Sequence, residues 1–78
     1  MEDLKNLQEL IGKEFDTDEI ICSMTDLEEA VVVSKVEGHT SNFEGHGECQ
    51  LYNTYYDMED TEVYNIWVNS DNIIIHVG

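Results

Sequence analysis

Seventy-eight residues carry eighteen Asp and Glu against three lysines (Lys5, Lys13, Lys35) and no arginine, a formal net charge of -15. A chain this short forms one domain around one modest core, burying roughly 60% of its unfolded surface. A net charge this negative excludes electrostatic attraction to nucleic acid or to an anionic membrane, and it exceeds the ~2–8 that keeps a small domain in solution.

Leu4, Leu7, Leu10 and Ile11 recur at helical spacing, and Gly12 stands where a helix C-cap would be, so a helix is expected over residues 2–12 with Phe15 anchoring its exit. Residues 16–23, Asp16 to Ser23, read as an acidic turn followed by a short strand. Thr25-Asp26-Leu27-Glu28-Glu29 has the pattern of a capped helix start, whereas Ala30 to Val33 is β-branched and runs on toward Val36. A second short helix and a long strand are both open there. His39 to Gly47, punctuated by Gly38, Gly45 and Gly47, reads as an open connection.

Three strands are then expected over residues 49–56, 63–68 and 73–77, joined by the acidic turn Asp57 to Thr61 and the tight turn Asn69 to Asn72. The fold class that follows is α+β, an N-terminal helix packed on an antiparallel β-meander of four to five strands. Period-two alternation assigns Cys49, Leu51, Tyr55, Tyr64, Ile66, Val68, Ile73, Ile75 and Val77 to the core face. It leaves Tyr52, Tyr56, Val63, Trp67 and Ile74 on the other, to be covered by the second acidic segment or to serve as an aromatic patch for a partner or a second copy.

No apolar run approaches ~18 residues, so no membrane span is expected, and Met1-Glu2-Asp3 lacks the positive start of a signal peptide. The expected location is the cytoplasm, with Cys22 and Cys49 as free thiols in a reducing compartment.

The carboxylates fall into three groups: Glu14, Asp16, Asp18 and Glu19; Asp26, Glu28 and Glu29; and Asp57, Glu59, Asp60 and Glu62. Neighbouring acids ~5–7 Å apart on a helix or strand imitate rows of backbone phosphates and would compete for the Lys and Arg groups that nucleic acid contacts. Catalysis has little support: the chain has no Gly-x-Ser-x-Gly elbow, no phosphate-cradling glycine loop and no arginine for an anionic substrate. No cofactor is expected. Metal binding is a separate alternative, since His39, His46 and Cys49, with Cys22 elsewhere, include enough ligand types for zinc but match no established spacing.

The amino-terminal half resembles the phage uracil-DNA glycosylase inhibitor family. The resemblance rests on a first helix ending at Gly12-Lys13, an acidic segment Asp18-Glu19-Ile20-Ile21, a second acidic segment Asp26-Leu27-Glu28-Glu29-Ala30-Val31 closing at Lys35, and His39-Thr40. It implies that Glu19 is a glutamate on a first strand and that Glu28 or Glu29 are helix acids, meeting an enzyme's DNA-binding groove. Ile20 stands where that family has a serine, and no proline opens the second acidic segment.

The reading that follows is an acidic DNA-mimic inhibitor of a basic nucleic-acid-binding protein in a bacterial host, acting as monomer or homodimer. Its contacts would be the three acidic groups and Trp67, and its targets equally a glycosylase, a CRISPR effector or a restriction system. An immunity protein neutralising a basic nuclease toxin would use the same electrostatics.

Overall fold

Leu4, Leu7 and Leu10 turn one side of the amino terminus inward, and the computed structural model, which describes residues 2–24, 30–58 and 61–78, forms the helix α1 (Glu2–Gln8) there. Regular helix stops earlier than the leucine spacing implies. Leu10 and Ile11 donate backbone N–H bonds three residues back, to Leu7 and Gln8, which tightens the last turn. Gly12, with φ of 92°, then ends it, and Ile11 is left 42% exposed.

The segment expected as a strand over 16–23 is a second helix, α2 (Thr17–Ser23). Asp16 caps it, its carboxylate accepting the Asp18 N–H at 2.9 Å, and Asp18 and Glu19 occupy the positive first turn. Ile20 and Met24, four residues apart, both reach complete burial. Asp16-x-x-Glu19 is a cap-and-acid pattern that the β-branched pair Ile20-Ile21 obscured.

Four strands follow: β1 (Val31–Phe43), β2 (Gly47–Tyr56), β3 (Tyr64–Val68) and β4 (Ile74–Val77). They pair antiparallel in the order β1-β2-β3-β4, the expected meander with the N-terminal helix on one face, to which α2 is added. Residues 31–33 are strand, and so are His39 to Phe43, where the glycine punctuation points to an open connection. Thr25 to Glu29 lie outside the described residues.

Two irregularities explain the misread connection and the misread faces. Between Lys35 opposite Tyr52 and Thr40 opposite Gln50, four residues of β1 stand against Leu51 alone. Gly38 takes φ of 77° in this bulge, and the Gln50 side chain closes it by donating to the carbonyls of Val36 (2.7 Å) and His39 (3.2 Å). In β4, Val68 faces Ile74 while Trp67 faces His76, so Ile75 is an extra residue and the strand's period slips by one. Ile74 and Val77 are therefore inside, where Ile73 and Ile75 had been expected with Val77.

The core gathers Leu7, Leu10, Ile20 and Met24 from the helical side with Tyr56, Tyr64, Ile66, Val68, Ile74 and Val77 from the sheet. Phe15 stacks on Tyr52, ring centroids 4.3 Å apart. On β2, then, Tyr52 and Tyr56 face the core, whereas Leu51 and Tyr55 do not. The far edge of β4 is covered by the chain after α1: Gly12 donates to Ile74 O, Ile74 to Lys13 O, and Phe15 to Asn72 O. No helix of the described residues is long and apolar enough to cross a membrane.

Candidate partner-binding surfaces

Three kinds of surface come out of this arrangement: acidic ends, a bare sheet face, and scattered thiols and imidazoles. Glu14, Asp16, Asp18 and Glu19 are all exposed around the start of α2. Asp57 and Glu62 are exposed where β2 leaves the sheet and β3 enters it. Asp26, Glu28, Glu29, Glu59 and Asp60 lie outside the described residues.

These acids mark opposite ends of the sheet. Phe15, next to Asp16, bonds Asn72 in the β3–β4 turn, whereas Asp57 donates to Ala30 O at the other end of β2. The five residues of β3 span that gap, about 17 Å at ~3.4 Å per residue. Among the described acids whose side chains are placed, Asp3 alone is buried, and it accepts a 2.7 Å hydrogen bond from the Tyr56 hydroxyl.

Trp67 is not brought to the α2 acids. It lies on the opposite face of the sheet from both helices, in a cross-strand row with Leu51 and His76. The neighbouring rows are Val32 with Tyr55, Ser34 with Asn53 and Asn65, Ser41 with Cys49, and Phe43 with Gly47. The Asn53 amide donates to the Asn65 side-chain oxygen at 2.7 Å, one neutral polar link across the middle of the face. The residues paired in these rows include no carboxylate or lysine, but exposed Glu37 stands in the β1 bulge against Leu51, and exposed Glu14 bridges Ile73 beside β4.

Phe43 on β1 reaches across β2, its ring centroid 5.5 Å from that of Trp67 and 6.1 Å from that of His76. Cys49 on β2, expected in the main core, is fully buried outside it, its thiol 3.7 Å from the Gly47 carbonyl, and burial pushes that thiol above the usual range. Gly47, opposite Phe43, takes φ of 76°, the left-handed conformation that the hairpin requires and that favours glycine.

Cys22 is exposed on α2, and both cysteines are free. Cys22, His39, His46 and Cys49 do not converge, and the described residues hold no group of three or more His, Cys, Asp or Glu able to bind a metal ion. The neutral outer face is the feature that sequence reasoning misassigned. The signal for it was present, because Leu51 and Tyr55 share a parity with Asn53, which a packed core would have to satisfy.

The resemblance carried Glu19 onto a strand, and Glu19 lies in α2. Comparison of the chain with family models, with curated proteins and with solved structures finds no match.

Proposed function

We propose that this protein is an inhibitor that binds a basic nucleic-acid-binding protein, its carboxylates standing in for phosphates. The observation that carries the reading is the charge: -15 on 78 residues, with no arginine to balance it. A field of this size costs folding stability through self-repulsion, and its use lies in steering and holding a cationic surface. The acids at the two ends of the sheet are exposed to such a surface, and Asp18 and Glu19 project from a capped helix rather than from a loose loop. The phage glycosylase-inhibitor resemblance points to the same class of partner, and CRISPR and restriction proteins belong to that class too.

The test is capture from a bacterial lysate with the tagged protein, elution by a salt gradient, and competition by added duplex DNA. One nucleic-acid-processing protein should be recovered and then displaced by the DNA. Its affinity should fall about tenfold or more as salt rises from about 50 to 300 mM. Asp18→Lys with Glu19→Lys should weaken binding about tenfold further than Glu9→Lys with Glu48→Lys, which changes the net charge equally. Asp18→Asn with Glu19→Gln separates lost contact from a destabilised helix. Affinity indifferent to salt would sink the mimicry, and recovery of a toxin nuclease would replace it with the immunity reading.

A further inference from the structure

We infer that the open sheet face, the side of β1–β4 opposite the helices, is a self-association surface that packs on the same face of a second copy. Almost one residue in four of this chain is acidic, yet the residues paired in the rows built on Val32, Leu51, Tyr55 and Trp67 include no carboxylate. Glu37 in the β1 bulge and Glu14, bridged to Ile73, stand at the two edges of the face. The bare face of an antiparallel sheet is normally polar and solvated. Here its large side chains are apolar or aromatic, and the polar pair at its centre, Asn53 with Asn65, is uncharged.

The charge distribution decides between occupants. A cationic groove docked on this face would lose its water and find counter-charge only at the rim, at Glu14 and Glu37, which is costly. A second copy brings matching central rows and keeps its own carboxylates on the helical side, at the sheet ends and at the rim of the face. The contact would be isologous, two sheets packed ~10 Å apart with α1 and α2 outermost on both sides. Four strands ~4.8 Å apart make a face about 19 Å wide, and about 20 Å of its length gives roughly 400 Å² of flat footprint per copy. Doubled, and with side-chain relief added, that reaches the lower range of specific interfaces, so the association is weak and reversible.

Two copies at -15 each repel, so added salt must strengthen the dimer. The sign is opposite to that expected for the acidic surface and its basic partner, so the two readings fail separately. The experiment is sedimentation of the full chain over a range of concentrations in about 50 and 500 mM salt. Mass should rise from 9.0 kDa toward twice that value, at lower concentration in the higher salt. Ser34→Asp with Asn65→Asp, both exposed positions on this face, should weaken association at least about tenfold while circular dichroism shows the fold intact. Glu9→Gln with Glu48→Gln, away from the face, should strengthen it slightly. A 9.0 kDa species at every concentration and salt overturns the inference, and so does association that Ser34→Asp with Asn65→Asp leaves unchanged. In either case the face belongs to a different protein or to solvent.

Discussion

On one side of the sheet Ile66, Val68, Ile74 and Val77 are no more than 3% exposed; on the other, across the same strands, Leu51, Tyr55 and Trp67 are only half-buried. The backbone and the hydrogen-bond ladder are common to both. What differs is that Leu7, Leu10, Ile20 and Met24 arrive on one side alone. Burial here is thus conferred by two short helices, while apolar composition is shared by both faces. The difference separates two jobs that composition alone merges: one face holds the fold together, and the other remains available for contact.

The largest effect should come from testing that division directly. Ile66→Ala removes a fully buried side chain and leaves a cavity between helices and sheet, a loss of about 3–4 kcal/mol. Leu51→Ala, one row away on the open side, should cost about 1 kcal/mol, because its side chain gives up less buried surface. Urea denaturation measures both. Losses of equal size would mean that the open face is covered in solution even at low protein concentration, which would move the self-association from weak to obligate.

Where the sequence was legible follows from the same contrast. β3 was readable because Tyr64, Ile66 and Val68 alternate with the polar Asn65, so one parity stands out. β2 was not, because Leu51 and Tyr55 compete with Tyr52 and Tyr56, and when both faces are apolar the alternation has no preferred phase. Ile73-Ile74-Ile75 carries no phase at all, and the extra residue at Ile75 reversed the guess. α2 was missed because β-branched Ile20 and Ile21 weighed more than the cap at Asp16. The acidic groups were plain as composition, but their division between opposite ends of the sheet depends on how β2 and β3 fold back, which no local pattern encodes.

A smaller effect sharpens the helix-covered face, where two hydroxyls two residues apart on β2 have opposite fates. The Tyr56 hydroxyl donates to buried Asp3 at 2.7 Å, tying the amino terminus to the sheet over 53 residues of sequence. The Thr54 hydroxyl is fully buried and has no hydrogen-bond partner. Tyr56→Phe should therefore cost about 1–2 kcal/mol, since it removes the donor to the buried Asp3 carboxyl, whereas Thr54→Val should stabilise by about 1 kcal/mol. Thermal melts suffice, because about 1 kcal/mol shifts Tm by roughly 4–8 °C in a domain this small. A destabilising Thr54→Val would show that this hydroxyl has a bonded partner in solution.

The smallest effect concerns Cys49, completely buried at an open-face position. Cys49 lies on β2 between Gly47, opposite Phe43, and Leu51, opposite Trp67, whose rings meet across that strand, and Cys22 is exposed on α2, so the two thiols report on opposite faces. Iodoacetamide at about pH 8 should modify Cys22 at the rate of a free thiol and Cys49 only as the protein opens; Phe43→Ala should expose Cys49 to the reagent without unfolding the core. Burial raises the Cys49 pKa, so above the ordinary thiol value of about 8.5 the unfolded chain has released a proton that the folded chain still holds. Stability from this group is complete below that pH and is lost as pH rises toward the raised value, by well under the core-cavity effect. A Cys22→Ser protein whose stability stays flat from about pH 7.5 to 9.5 would show that Cys49 is open to water. The open face would then be bare throughout, with no packed cluster of its own.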